Sequence, residues 1–133
     1  MTTITISEPP SLDDLDRIAK AAFKTIPDEL ARHVKGVVIR IDDFPDEDTA
    51  RDLGLESPFD LLGLYHGVAI GDKSVMNSGQ TVDMIFLYRR PILDYWVETG
   101  EDLTHVVRHV LIHEIGHHFG LSDGDMERIE KQT

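Results

Sequence analysis

The segment from Glu101 to Phe119 constrains the fold more than any other, because it is apolar around most of a helical circumference. At about 100° per residue, Leu103, Val106, Val110, His113 and His117 fall on one stripe. Val107, Leu111 and Ile115 fall on the adjoining one, with Ile112 and Phe119 further round. Arg108, His109 and Gly116 are left on the remaining side. A helix patterned in this way belongs near the centre of a domain. Gly120 tolerates positive φ and so marks the point where the helix stops and the chain turns back.

The other elements are shorter. Ser11 with Asp14 three residues on is a weak capping box, followed by Leu12, Leu15, Ile18, Ala19, Ala22, Phe23 and Ile26 at helical spacing, with Pro27 as the stop. Val37 to Ile41 is β-branched and reads as a strand. The acidic stretch from Asp42 to Asp48 reads as a solvated loop, since it lacks the spacing of an EF-hand. Leu61 to Ile70 reads as a strand or a hairpin bent at Gly67, and Gly71 to Gly79 as a polar loop. Residues 82–88 alternate as a strand does, Pro91 opens a short helix through Trp96, and Gly100 breaks it. Asp123 to Lys131 is long enough for a final helical turn or two, and residues 1–10 read as an extended arm.

Composition narrows the function classes. The 133 residues suit one domain, 1–133, and 41% hydrophobic residues are enough for a core. The net charge of −12 would repel a phosphate backbone, and Arg89-Arg90 is too small a patch to offset it, so nucleic acid is not an expected partner. The absence of cysteine removes disulfides, thiolate metal sites and thiol nucleophiles together. No apolar run approaches the roughly 20 residues of a membrane span, and the first residues lack a leader pattern. A soluble, cytoplasmic protein is expected.

Two histidines on the buried face of a core helix need an explanation. His113 and His117 stand at i and i+4, so both rings point the same way about one turn apart and can hold one ion at ~2.0–2.1 Å from each nitrogen. Glu114, rotated by about 60° from His117, is placed to reach a metal-bound water rather than the metal. The pattern continues as His113-Glu114-x-x-His117-x-x-Gly120-x-x-Asp123. Requiring all five residues lowers the accidental rate to roughly one in 5,000 chains of this composition. Two helical imidazoles cannot close a zinc site. Asp123, brought back by the turn at Gly120, is the expected third ligand, with Asp125 or Glu127 as substitutes.

The stretch from His113 to Asp123 resembles the zinc motif of the zincin clan, and more narrowly that of the small bacterial zincin-like metallopeptidases, sometimes called minimal metalloproteases. Leu61 to Gly67 and Ile85 to Arg89 are also similar to that family, so the resemblance covers roughly residues 25–130. It implies an α+β fold, a small mixed β-sheet packed by helices including a central active-site helix. It also implies one Zn2+ bound by His113, His117 and Asp123. Metzincins have His at the position of Asp123 and a methionine turn well downstream; Met126 is too near for that and reads as helix-face packing.

The expected activity is hydrolysis of peptide or protein substrates by a zinc-activated water, with Glu114 as general base. Tyr65, His66 and Tyr88 are candidates to stabilise an oxyanion, each with a structural role as the first expectation. His105, His109 and His118 read as flank or packing residues, with support of the metal ligands as a second role for His118. One of the strands 61–70 and 82–88 is expected to offer an edge to an extended peptide. The alternative is a catalytically weak or inactive binding module on a zincin scaffold.

Overall fold

In the computed structural model, which describes residues 8–69 and 81–132, the chain begins with helix α1, Leu12–Phe23. Its capping box is reciprocal: the Asp14 amide donates to Ser11 Oγ at 3.0 Å, and the Ser11 amide donates to Asp14 Oδ2 at 2.9 Å. The apolar stripe buries Leu15, Ala19 and Ala22. Pro27 sits at the N-cap of a four-residue helix, α2, Asp28–Ala31, which buries Leu30. The expected arm is described only at residues 8–10, which carry no regular structure; residues 1–7 lie outside the described residues.

Strand β1, Val38–Asp42, follows. The acidic stretch after it is not wholly a loop, since Glu47–Asp52 forms helix α3. Asp46 caps it by accepting from the Thr49 amide at 2.7 Å, and its first turn carries Glu47 and Asp48, which suit the positive end of the helix dipole. No residue of α3 is buried, so local capping makes this helix, with no apolar stripe to betray it in the sequence. A 3-10 turn at Pro58–Asp60 then leads into β2, Gly63–Ala69, and β3, Thr81–Tyr88. The expected loop from Gly71 to Gly79 lies outside the described residues.

The three strands form one mixed sheet in the order β1-β3-β2. β1 runs parallel to β3 with Ile39 opposite Ile85, and β2 runs antiparallel to it with Tyr65 opposite Ile85. β3 is thus the middle strand, and Ile85 and Leu87 are fully buried in it. Helix α4, Arg89–Thr99, runs a turn further than Trp96 and ends at Gly100 with φ of 70°.

Helix α5, Leu103–His118, is the central element expected from its pattern. Asp102 caps its start by accepting from the His105 amide at 3.1 Å. Its end is a Schellman turn, in which the Gly120 amide donates to the His117 carbonyl at 3.2 Å and the Leu121 amide donates to the Gly116 carbonyl at 2.9 Å. Gly120 takes φ of 73°, as that turn requires. α5 packs between α1 on one side and β2 on another, burying Val106, Val107, Val110, Leu111, Ile112 and Ile115. β2 comes close because Gly63 has no side chain: a Cβ there would lie 2.7 Å from Val110 Cγ1.

Helix α6, Asp123–Glu130, is capped by Ser122 and folds back along α5, burying Met126 and Ile129. Arg108 fastens its end, donating through Nη1 to the Glu130 carbonyl at 2.8 Å and through Nη2 to the Gln132 carbonyl at 2.7 Å. Among the described residues, no helix is long and apolar enough to cross a membrane.

Candidate metal centre

The position of Glu114 follows from the pairing of β2. The Tyr88 amide donates to the Leu62 carbonyl at 2.9 Å, which fixes the antiparallel alternation. Leu62, Leu64 and His66 therefore turn their backbone groups toward β3, and Tyr65 and Gly67 turn theirs outward. Among the described residues no further strand pairs with that outer edge. Glu114, on the α5 face that looks toward β2, accepts a hydrogen bond from the outward Tyr65 amide. Burial pushes its carboxyl above the usual range, while His117 and the Tyr65 N–H pull the other way without cancelling the rise. A carboxylate held at a strand edge and made more basic by burial is suited to taking a proton.

The imidazoles are arranged in a chain along α5. The rings of His113 and His117 lie 5.8 Å apart and nearly perpendicular, and those of His109 and His113 lie 4.0 Å apart. His113 is partly buried, whereas His117 is exposed. Across from them, Glu130 Oε1 lies 3.0 Å from His113 Nε2 and 2.5 Å from His109 Nδ1. That oxygen is sealed from solvent and accepts no well-directed hydrogen bond. Burial first, and then the neighbouring His109, lower the His113 pKa, with Glu130 opposing. The lowered pKa favours the neutral ring, the form in which a histidine binds metal.

Of the expected set His113, His117 and Asp123, the structure gathers only His113 into a cluster of possible ligands. Among the described residues, the three that bring ligand atoms within 4.8 Å of one another are His109, His113 and Glu130. Asp123 is the exposed first residue of α6 and does not join them; Glu127 is also exposed. The donor chemistry nevertheless fits zinc, which takes nitrogen and carboxylate ligands together, and the orphaned Glu130 oxygen lacks the partner a cation would supply. Glu130 lies outside the His113–Asp123 motif and seven residues beyond its last member, so the motif spacing does not point to it. Its signal was present: Met126, Ile129 and Glu130 share one face of α6, and His109 precedes His113 by four residues.

The remaining candidates have these surroundings. The Tyr65 hydroxyl donates to Asp83 Oδ2 at 2.7 Å, so its proton is already engaged. Burial and Asp83 together raise its pKa far above the ordinary phenol range. His118 is exposed and stacks on the Tyr65 ring, with centroids 3.9 Å apart. Burial, with Asp42, Asp46 and Glu114 adding to it, pushes Tyr88 up to about 12. His66 lies exposed beside a cleft of about 390 Å³ that Asp42, Asp46, Asp52, Leu64 and Phe86 help to line.

A central helix bearing His-Glu-x-x-His, laid against the β2 edge of a small mixed sheet, defines a protein of the zincin class. Residues 34–133 match the family model described as Zincin-like metallopeptidase, and the chain belongs to that family. No curated protein matches the chain.

Proposed function

We propose that the protein is a zinc-dependent peptidase in which His113, His117 and Asp123 hold the ion and Glu114 is the general base. When bound, zinc would acidify a water and polarise the carbonyl to be cleaved. Glu114 would accept the proton of that water and pass it to the leaving amine. The Tyr65 amide orients Glu114 by its hydrogen bond, and burial raises the basicity of the carboxylate. The outward backbone groups of Gly67 would pair with an extended peptide, because β3 is paired on both sides and, of the two edge strands, β2 is the one whose outer edge bonds Glu114. A peptide or protein substrate fits such an edge, and the net charge of −12 argues against nucleic acid.

The observation that carries this reading is the placement of Glu114, between two helical histidines and tied to the free edge of β2. Exposure of His117 and Asp123, away from the His109–His113–Glu130 cluster, favours a second reading, a metal-dependent binding module with little turnover. Glu114→Ala in the zinc-loaded chain separates them. The peptidase reading expects cleavage of a peptide library by the unaltered chain and its loss in the variant, with zinc content unchanged. Activity that survives the substitution sinks the assigned role of Glu114. Zinc-loaded chain that cleaves nothing in the library leaves the binding module.

A further inference from the structure

We infer that His109, His113 and Glu130 form a second divalent-cation position, one helical turn before the motif, which shares His113 with the catalytic position and competes for it. His109 and His113 lie on one face of α5 with ring centroids 4.0 Å apart. Glu130 arrives from α6 with a single oxygen between them, 2.5 Å from His109 Nδ1 and 3.0 Å from His113 Nε2. Zinc bonds of about 2.0–2.1 Å at tetrahedral angles set neighbouring donors roughly 3.3 Å apart. Opening this triangle by about 0.3 Å on the His113 edge and about 0.8 Å on the His109 edge, within reach of side-chain rotation, would admit the ion.

Three further features distinguish this triad from a surface ion pair. Glu130 Oε1 is sealed from solvent with no well-directed hydrogen bond, a costly state that a cation would relieve. Its backbone is fixed before any ion arrives, by Arg108 on its carbonyl and by the burial of Ile129 and Met126. Arg108 bonds that carbonyl and the Gln132 carbonyl, leaving the Glu130 carboxylate to the imidazoles. The His109 side chain is 43% exposed, so the position is open to solvent on one side. Two ring nitrogens and one carboxylate select zinc and its neighbours cobalt, nickel and copper; calcium and magnesium prefer oxygen alone. His113 offers one Nε2, so the two positions exclude each other and the chain holds one ion at a time. An ion at the second position removes His113 from the motif and leaves hydrolysis off.

The test uses the full chain, stripped with chelator and titrated with Zn2+ or Co2+ alone. His117→Ala/Asp123→Ala removes the motif ligands and leaves the second set. It should still bind one ion, with a visible Co2+ spectrum, and adding His109→Ala and Glu130→Gln should weaken that binding at least a hundredfold. Failure of the double variant to bind either metal, or binding that ignores the two added changes, overturns the proposal. Circular dichroism monitors folding of each variant. Should one unfold, anomalous diffraction from zinc in crystals of the unaltered chain decides, with density between Glu130 and His109 expected in at least a fraction of chains and none overturning it. Loss of activity in Glu114→Ala bears on the peptidase reading and leaves this result untouched, so the two can fail separately.

Discussion

Met126 lies flat against Gly116, with its sulfur and Cγ occupying the space that a side chain on α5 would need. A Cβ built on Gly116 would fall 2.7 Å from Met126 Cγ, and Met126 is fully buried. This contact sets how α6 lies along α5. It therefore also decides which carboxylate of α6 meets His109 and His113.

Gly116→Ala should destabilise the protein despite replacing glycine inside a helix. Alanine gains about 1 kcal/mol of helix propensity there, but overpacking a filled contact costs about 1–3 kcal/mol. A net loss of about 1 kcal/mol is expected in urea unfolding. In a Met126→Ala background the clash is gone, and the same substitution should become stabilising. An unchanged sign in the two backgrounds would show that the two residues are not coupled.

Tyr65→Phe removes the hydroxyl that donates to Asp83 and keeps the backbone amide that serves Glu114. Stability should fall by about 1–2 kcal/mol, the cost of leaving a part-buried acceptor without its partner. Peptide hydrolysis should fall by less than about tenfold, since loss of a true oxyanion donor costs about 100- to 1,000-fold. A loss in kcat/KM of that larger size would return the Tyr65 hydroxyl to the oxyanion role.

Much of this was legible in the sequence because it is written locally. Ser11 and Asp14 name their own capping box, Gly100 and Gly120 their own helix ends, and the apolar girdle of α5 its own burial. Helix α3 was illegible because it rests on the Asp46 cap and buries nothing. The sheet order was illegible for a different reason: alternation marks strands 63–69 and 81–88 but does not say which one is paired on both sides. At the site, Glu114 could be read from its spacing to His113 and His117. Its tie to the Tyr65 amide could not, because that depends on the β2 register. Glu130 stands 17 positions after His113, and the two meet through tertiary packing: Met126 on Gly116, Ile129 in the core and Arg108 on the Glu130 carbonyl.

His113 makes stability depend on pH in a definite direction. Its folded pKa lies below the unfolded value near 6.5, chiefly through burial. The unfolded chain therefore binds more protons as pH falls through that range, so stability decreases from about pH 6.5 downward. Glu114 acts oppositely: its raised pKa means that stability is lost as pH rises from the unfolded carboxylate value through the folded one. Urea midpoints of the metal-free chain should fall between pH 7.5 and 5.5, and His113→Gln should flatten that slope. A slope that persists in the variant would place the titrating group elsewhere.

Removing the metal should weaken the protein without unfolding it. The core of Leu15, Ile85, Leu87, Leu111, Ile112, Ile115 and Ile129 is closed by apolar contacts alone, and none of these side chains is a possible ligand. A bound ion adds mass-action stability of about 2.7 kcal/mol at a free concentration a hundred times Kd. For a chain of this length that corresponds to a Tm shift on the order of 10 °C. Chelation should therefore lower Tm by about that amount while the far-ultraviolet circular dichroism at 25 °C stays the same. His113→Ala should abolish the shift, because both the motif and the His109–Glu130 position depend on that ring. In His117→Ala/Asp123→Ala the shift should persist at reduced size if the second position holds the ion. A chelator that melts the chain at 25 °C would mean that α6 is held on α5 by the metal more than by Met126 and Ile129.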